Sequence, residues 1–222
     1  MTTHRSGHRS VGQVRSVNVG RVRTIEFRDG SDRTAIWKAP VAGRVAVRGV
    51  NVDGDEQADR SVHGGPDKAL YAYASEDLAW WSDQLGHPVG PGTFGENLTT
   101  AGLDLAAAVV GETWEVGSTV LEVVQPRIPC YKLGIRMGDP GFPRRFAAAA
   151  RSGTYLRIIR EGEIGAGDSI AVVATPGHGV TIGMVERAYH GNDDLAARLL
   201  DAPELPESWQ DWARRLLRHR AS

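Results

Sequence analysis

The only cysteine of the 222-residue chain, Cys130, lies close in sequence to two basic residues, Arg127 and Lys132. A helix is predicted to begin near Tyr131, directly after it. Positive charge and a helix N-terminus both favour the thiolate, which can act as a nucleophile or as a soft metal ligand. An inert buried cysteine is the alternative interpretation.

A second group of candidate residues surrounds two adjacent glycines, Gly64 and Gly65. Without side chains, these glycines would let backbone N–H groups approach a ligand closely. Arg60, His63 and Lys68 flank them and could converge on a phosphate, the arginine bidentately and the lysine as a point charge. A tight turn with solvated charges is the alternative, because glycine pairs are common in turns.

A third, weaker candidate is the pair Glu96 and Asn97, at the entry to a short predicted strand. Alone, this pair is typical of a loop stabilised by side-chain hydrogen bonds. Together with Cys130 and His63, Asn97 could also form a metal-free thiol hydrolase site, since these residue types suit nucleophilic catalysis. The sequence leaves that alternative open.

The elements that must position these residues are short and apolar. Eight segments rich in Val, Ile, Tyr and Thr are predicted strands, bounded by Gly, Pro, Asp or Asn. They are residues 14–19, 34–37, 44–50, 69–73, 113–116, 119–124, 155–159 and 169–173. Tight turns at 115–117 and 161–164 predict hairpins. Many short strands at this spacing indicate a barrel or a strongly curved sheet.

Helices are predicted within the strand-rich part at 75–86 and 143–150, and beyond a linker at 175–179. After that linker the chain reads as purely helical, with an amphipathic stripe from Trp209 to Leu217. The pattern predicts a barrel domain over residues 11–175 and a three-helix domain over residues 176–222.

Composition limits the possible functions. The net charge of −1 provides no global basic field for nucleic acid or an acidic membrane, so anion recognition must be local. An arginine cluster at 214–220 is interpreted as a solvated basic face, and DNA contact is the disfavoured alternative. A single cysteine and the lack of a long apolar run fit the cytoplasm. Only three of the 26 basic side chains are lysines (Lys38, Lys68 and Lys132), which makes each lysine worth inspecting.

Taken in their order along the chain, segments 59–68, 94–98 and 129–133 resemble those of a MOSC domain, the C-terminal domain type of molybdenum-cofactor sulfurases. The last helix is similar to that of the three-helix domain that follows MOSC in one bacterial branch, which is associated with resistance to 6-hydroxylaminopurine. The resemblance extends over nearly the whole chain. It implies a mainly β fold with α-helices: a MOSC-type β-barrel core plus a small C-terminal three-helix domain.

The resemblance also implies a molybdenum cofactor (molybdopterin), with the Cys130 thiolate as the metal ligand. The residues expected to hold the cofactor are Arg60, His63, Gly64, Gly65, Lys68, Asn97 and Arg127. The expected reaction reduces N-hydroxylated bases and hydroxylamines to amines, with Cys130, Glu96 and His63 as catalytic residues. Pyridoxal phosphate binding is a further association of the family.

Some relatives carry a fused ferredoxin-like domain that this chain lacks, so the expected electron donor is a separate reductase. A homodimer is possible, and neither a membrane nor nucleic acid is expected as a partner. A non-catalytic carrier of the cofactor, or of sulfur bound at Cys130, is the main alternative function.

Overall fold

Short strands connected by glycine-rich turns make up most of the chain. A computed structural model describes residues 10–58 and 64–221. The strands in these residues are β1 (Ser10–Val19), β2 (Arg23–Phe27), β3 (Gly30–Thr34), β4 (Ala39–Pro40), β5 (Arg44–Arg48), β6 (Asn51–Val52), β7 (Leu70–Ala74), β8 (Leu98–Ala101), β9 (Thr113–Val116), β10 (Thr119–Pro126), β11 (Thr154–Arg160), β12 (Gly162–Gly165) and β13 (Ser169–Ala174).

Helices follow or interrupt these strands. The α-helices are α1 (Ser75–Leu85), α2 (Tyr131–Met137), α3 (Phe142–Ala148), α4 (Ile182–Tyr189), α5 (Ala196–Leu199) and α6 (Glu207–Ala221). Two short 3-10 turns, Pro66–Lys68 and Asp193–Leu195, complete the set of described helical elements. No helix in the described part of the chain combines the length and apolar character that crossing a bilayer would require.

Seven strands close into a barrel in the order β13-β9-β10-β11-β7-β8-β1, because β1 also pairs with β13. Only the β7–β8 pair of this ring is parallel. The register of β1 shifts against both of its barrel neighbours, and such bulges bend a strand and increase its twist. Closure leaves the ring without open edges. The predicted mainly β fold with a barrel core is therefore confirmed.

Alternation of buried and exposed residues explains how the barrel fills its interior. In β9, Trp114 and Val116 are buried, and in β10, Leu121 and Val123 are buried, so side chains two residues apart share the inner face. Gly117, with φ 58°, connects these strands, and Thr119 pairs with Val116. The hairpin predicted at 115–117 is confirmed.

Two local predictions are wrong. The strand predicted at 34–37 instead ends at Thr34, because that strand pairs with β2 in a separate two-stranded hairpin. The segment 161–164, interpreted as a tight turn, is largely strand β12. It pairs with β5 at Gly162 and Val47, while β11 pairs with β10 and β7. The β5–β12 pairing joins segments distant in sequence, which local residue patterns do not encode, whereas β2 and β3 are consecutive strands whose local hairpin was not predicted.

The three C-terminal helices pack against the barrel. Val185, Leu199, Trp209 and Ala213 belong to the same cluster of buried apolar residues as Trp114 of the barrel. The predicted amphipathic stripe of α6 thus contributes Trp209 and Ala213 to that core. The division into domains at residue 175 stays a prediction.

Candidate functional site

A cleft open to solvent lies between the turn Pro66–Lys68, loop 92–97 and the start of α2. The charged and sulfur-bearing residues that line it are Lys38, Asp55, Glu56, Lys68, Arg127, Cys130 and Lys132. Four cations and two carboxylates leave this described lining with a net positive charge. The positive charge of this lining favours an anionic ligand.

Cys130 is half-buried in the wall of this cleft, immediately before α2. Its backbone is extended, and the helix begins at the next residue, Tyr131, as predicted from the sequence. The preceding loop follows directly from β10, so the end of a barrel strand determines where the thiol lies. The prediction that Cys130 occupies a loop at the end of a strand is confirmed.

Arg127 is the most deeply buried cation of the cleft, with 6% of its surface exposed. Its guanidinium carbon lies 5.3 Å from the ring centre of Tyr71 and 5.6 Å from that of Phe146. Burial works to lower the pKa of Arg127, but interactions with Tyr71, Tyr155 and the Cys130 thiol outweigh it and raise that pKa. The side chain is therefore a permanent positive charge close to Cys130.

The Nη1 atom of Arg127 is buried and has no hydrogen-bond partner among the residues that the structure describes. Leaving a buried donor unsatisfied costs about 1–3 kcal/mol, and more for a charged group. Such a donor in the lining of a cleft can bind a water molecule or a ligand that accepts hydrogen bonds.

The glycine pair precedes the turn that carries Lys68 into the cleft. Gly65 has φ 86° and ψ −177°, a backbone conformation that is essentially restricted to glycine. Its N–H donates to Gln57 Oε1 at 3.1 Å, so this amide is engaged within the protein rather than directed at a ligand. Lys68 Nζ lies 5.9 Å from the Tyr155 ring centre. Arg60 and His63, which were also predicted here, lie outside the described residues.

Glu96 does not line the cleft, although the resemblance implies a catalytic role for it. Its carboxylate is fully buried and accepts hydrogen bonds from the Gly92 N–H at 2.6 Å, the Phe94 N–H at 3.1 Å and Thr99 Oγ1 at 3.1 Å. Burial raises its pKa to about 7, even though these donors oppose the shift. The structure therefore makes Glu96 the anchor of loop 92–97 and does not bring it to Cys130.

Asn97 does line the cleft, but its amide is engaged in structural hydrogen bonds. The Nδ2 atom donates to the Asn18 carbonyl at 3.3 Å and to Asp55 Oδ2 at 3.0 Å. The Oδ1 atom accepts from the Tyr71 N–H at 3.1 Å. Both amide protons are used, so this side chain serves mainly to hold Asp55 and β7 in place.

Lys68 was the only lysine predicted to hold the cofactor, and Lys38 and Lys132 were noted only for the rarity of lysine and, for Lys132, its closeness to Cys130. The structure places all three lysines in the cleft lining. Lys38 forms an ion pair with Asp55, and burial lowers the pKa of Lys38 although Asp55 opposes the shift. The signal was present in the composition, because lysine is so rare in this chain.

Lys132 links the cleft to the β2–β3 hairpin. Its Nζ donates to the Arg33 carbonyl at 2.7 Å and lies 3.0 Å from Asp32 Oδ2. The Tyr131 hydroxyl donates to the same carboxylate, and the Tyr131 ring stacks on Phe27 with 3.8 Å between ring centres. This two-stranded hairpin therefore forms one side of the cleft, next to Cys130.

Comparisons with known proteins identify relatives of this chain. The MOSC domain profile matches residues 59–171. YflK of Bacillus subtilis is 34% identical over 200 residues, which cover 89% of this chain and 90% of YflK. A protein named "Reductase" from Gibberella moniliformis is 29% identical over 88% of this chain but only 35% of its own length. The crystal structure of YiiM from Geobacillus stearothermophilus superposes with a TM-score of 0.77 and 31% identity, covering 93% of this chain and 99% of that one. This chain belongs to the MOSC domain family.

Proposed function

We propose that this protein binds a molybdenum cofactor in the cleft and reduces N-hydroxylated compounds, such as hydroxylaminopurine-type bases, to amines. The observation that carries the proposal is the buried Arg127 guanidinium, whose Nη1 has no acceptor among the described residues and which interacts with the Cys130 thiol. Membership of the MOSC family supports the cofactor, and a relative named "Reductase" supports a redox role. Pyridoxal phosphate, also implied by the resemblance, has no support from these comparisons and is not part of the proposal.

The residues present fit such a group. The Cys130 thiolate is a soft ligand that would hold the metal. Arg127 and Lys68 would hold the anionic part of the cofactor through charge-assisted hydrogen bonds, which are roughly twice as strong as neutral ones. When bound, the cofactor would supply the two-electron redox chemistry, and the protein contributes binding, orientation and electrostatics.

The reaction needs two electrons and two protons: R–NHOH becomes R–NH₂ and water. The N–O bond breaks, one proton goes to the nitrogen and the other goes to the departing hydroxyl. Glu96 lies outside the cleft lining, so we assign the supply of protons to side chains that line the cleft, such as Lys38. Burial lowers the pKa of the Lys38 ammonium, which makes it a stronger acid.

The electrons would come from a separate reductase, and we place the reaction in the cytoplasm. We do not propose a nucleic-acid partner, because the arginine cluster at 214–220 in α6 lacks the sequence signature of a recognition helix. A homodimer remains a prediction.

The first experiment expresses the protein in a host that makes molybdenum cofactor and measures molybdenum and pterin in wild type and Cys130→Ser. We expect nearly one molybdenum per chain, lost or greatly reduced in the variant, with unchanged circular dichroism. Reduced wild-type protein should then convert 6-hydroxylaminopurine to the amine.

Other outcomes select the alternatives. Bound pterin without turnover of any N-hydroxylated base would favour a carrier. Neither molybdenum nor pterin in the wild type, together with a hydrolase activity that alkylation abolishes, would favour the metal-free thiol site and contradict our proposal.

A further inference from the structure

The turn Pro66–Lys68, which carries Lys68 into the cleft, is held by side chains from distant parts of the chain. Gln57 Nε2 donates to the Lys68 carbonyl at 3.3 Å. Arg157 Nε donates to the Asp67 carboxylate at 2.9 Å, and the same guanidinium also forms an ion pair with it. A turn of three residues has few internal hydrogen bonds, so contacts of this kind determine where Lys68 lies.

A third contact connects the turn to the C-terminal helix. Gln125, buried at the end of β10 and two residues before Arg127, donates through Nε2 to the Asp67 carbonyl at 3.1 Å. Its Oε1 accepts from the indole Nε1 of Trp209, in α6, at 2.7 Å. One buried amide thus joins α6 to the backbone of the cleft turn.

We infer that Trp209 is a positioning residue for the cleft, which it influences through Gln125. The indole donor determines which end of the Gln125 amide faces α6, and therefore which end faces Asp67. Without that donor, the buried Oε1 would lose its described partner, and the amide would gain freedom to rotate away from the turn. The C-terminal helix α6 thereby helps to position Lys68 for anion binding. The consequence for ligand binding rests on the proposed function, because it takes Lys68 as a ligand contact.

Trp212 provides a matched control on the same helix. It packs against Trp209 with 5.9 Å between ring centres and against Tyr189 at the same distance, and it is partly buried on the barrel cluster. Replacing either tryptophan by phenylalanine removes an indole N–H and keeps an aromatic ring, but only Trp209 donates to Gln125.

The test measures amide hydrogen exchange in full-length wild type, Trp209→Phe, Trp212→Phe, Gln125→Met and the Trp209→Phe/Gln125→Met double variant. The Lys68 N–H donates to the Gly65 carbonyl at 3.1 Å, so its exchange reports opening of the turn. We expect it to accelerate about tenfold in Trp209→Phe, with amides of the β9–β10 hairpin unchanged and Trp212→Phe like wild type. The double variant should match Gln125→Met, because both changes break the same connection.

A second readout is the Kd of the cofactor-free protein for inorganic pyrophosphate, measured by calorimetry. Several-fold weaker binding in Trp209→Phe than in Trp212→Phe supports the inference, since a less preorganised Lys68 binds less tightly. Equal exchange of the Lys68 amide in the two variants would overturn it, as would acceleration spread evenly over the barrel. If wild type does not bind pyrophosphate but the exchange pattern holds, the positioning stands and the anion-binding part of the proposed function fails.

Discussion

The Lys38 ammonium and the Asp55 carboxylate form an ion pair inside the cleft wall, where 8% and 2% of these side chains are exposed. Asp55 also accepts hydrogen bonds from the Gly20 N–H at 2.7 Å and from Asn97 Nδ2 at 3.0 Å. The pair therefore ties together three loops that meet at the cleft. Removing one partner of a buried pair leaves an uncompensated charge.

Lys38→Met should lower the free energy of unfolding by about 3–5 kcal/mol, because Asp55 would remain buried without its counter-charge. The matched control is Arg21→Met at the neighbouring Arg21–Glu56 pair, whose side chains are 73% and 40% exposed. Arg21→Met should lower the free energy of unfolding by less than about 1 kcal/mol. Urea denaturation of both variants checks the difference. Equal losses would show that the Lys38–Asp55 pair contributes no more than a surface pair.

Arg127→Met should separate ligand binding from stability. Molybdenum and pterin content should fall at least tenfold, because each hydrogen bond to a charged group contributes about 1.5–3 kcal/mol. Thermal stability should be unchanged or higher, since an apolar side chain would replace a buried guanidinium whose Nη1 has no acceptor among the described residues.

Arg145→Met is its control, because Arg145 also lies over a ring, 5.7 Å from the centre of Phe142, but is half exposed and outside the cleft lining. Arg145→Met should retain its cofactor. Full cofactor content in Arg127→Met would contradict the inference that Arg127 binds the cofactor, on which the proposed function rests.

Glu96 should make stability depend on pH. Burial raises its pKa from 4.5 to about 7, so the folded state binds this proton more tightly than the unfolded state does. Its contribution is complete below the unfolded pKa and is lost as pH rises through about 7. The free energy of unfolding of wild type should therefore fall by about 3 kcal/mol between about pH 4 and pH 8, relative to Glu96→Gln. Parallel pH profiles for the two proteins would exclude this role.

Gly65→Ala should destabilise the protein by about 1–3 kcal/mol, because φ 86° with ψ −177° is a conformation that alanine adopts only under strain. Gly90→Ala is the control: the space around Gly90 is open and its φ lies outside the left-handed range. That variant should stay within about 0.5 kcal/mol of wild type. The unfolding midpoints in urea measure both, and similar values would show that the turn relaxes around the new side chain.

Local patterns predicted most of the strands and either a barrel or a strongly curved sheet, and the family resemblance then implied the barrel. Alternating apolar residues and a glycine turn identify β9 and β10 without reference to the rest of the chain, because a strand's inner face repeats every two residues. The helix start after Cys130 was predicted in the same way. The family itself followed from three short segments in a particular order.

Pairings between distant segments could not be predicted in this way. The β5–β12 pair was missed because its two strands lie far apart in the chain, whereas β2 and β3 are consecutive and form a local hairpin that was not predicted either. The catalytic role of Glu96 was implied by the family resemblance. Only the structure shows that its carboxylate is buried and accepts hydrogen bonds from its own loop.

The sequence by itself determined the strand content, the single thiol at the end of a strand, and the glycine-flanked Lys68. Each depends on residues close together in the chain. Only the tertiary structure decided that Lys38, Arg127 and Cys130 share one cleft and that Trp209 reaches it through Gln125, 84 residues away. Those contacts form when barrel closure brings distant segments together, and the local pattern of apolar residues does not predict them.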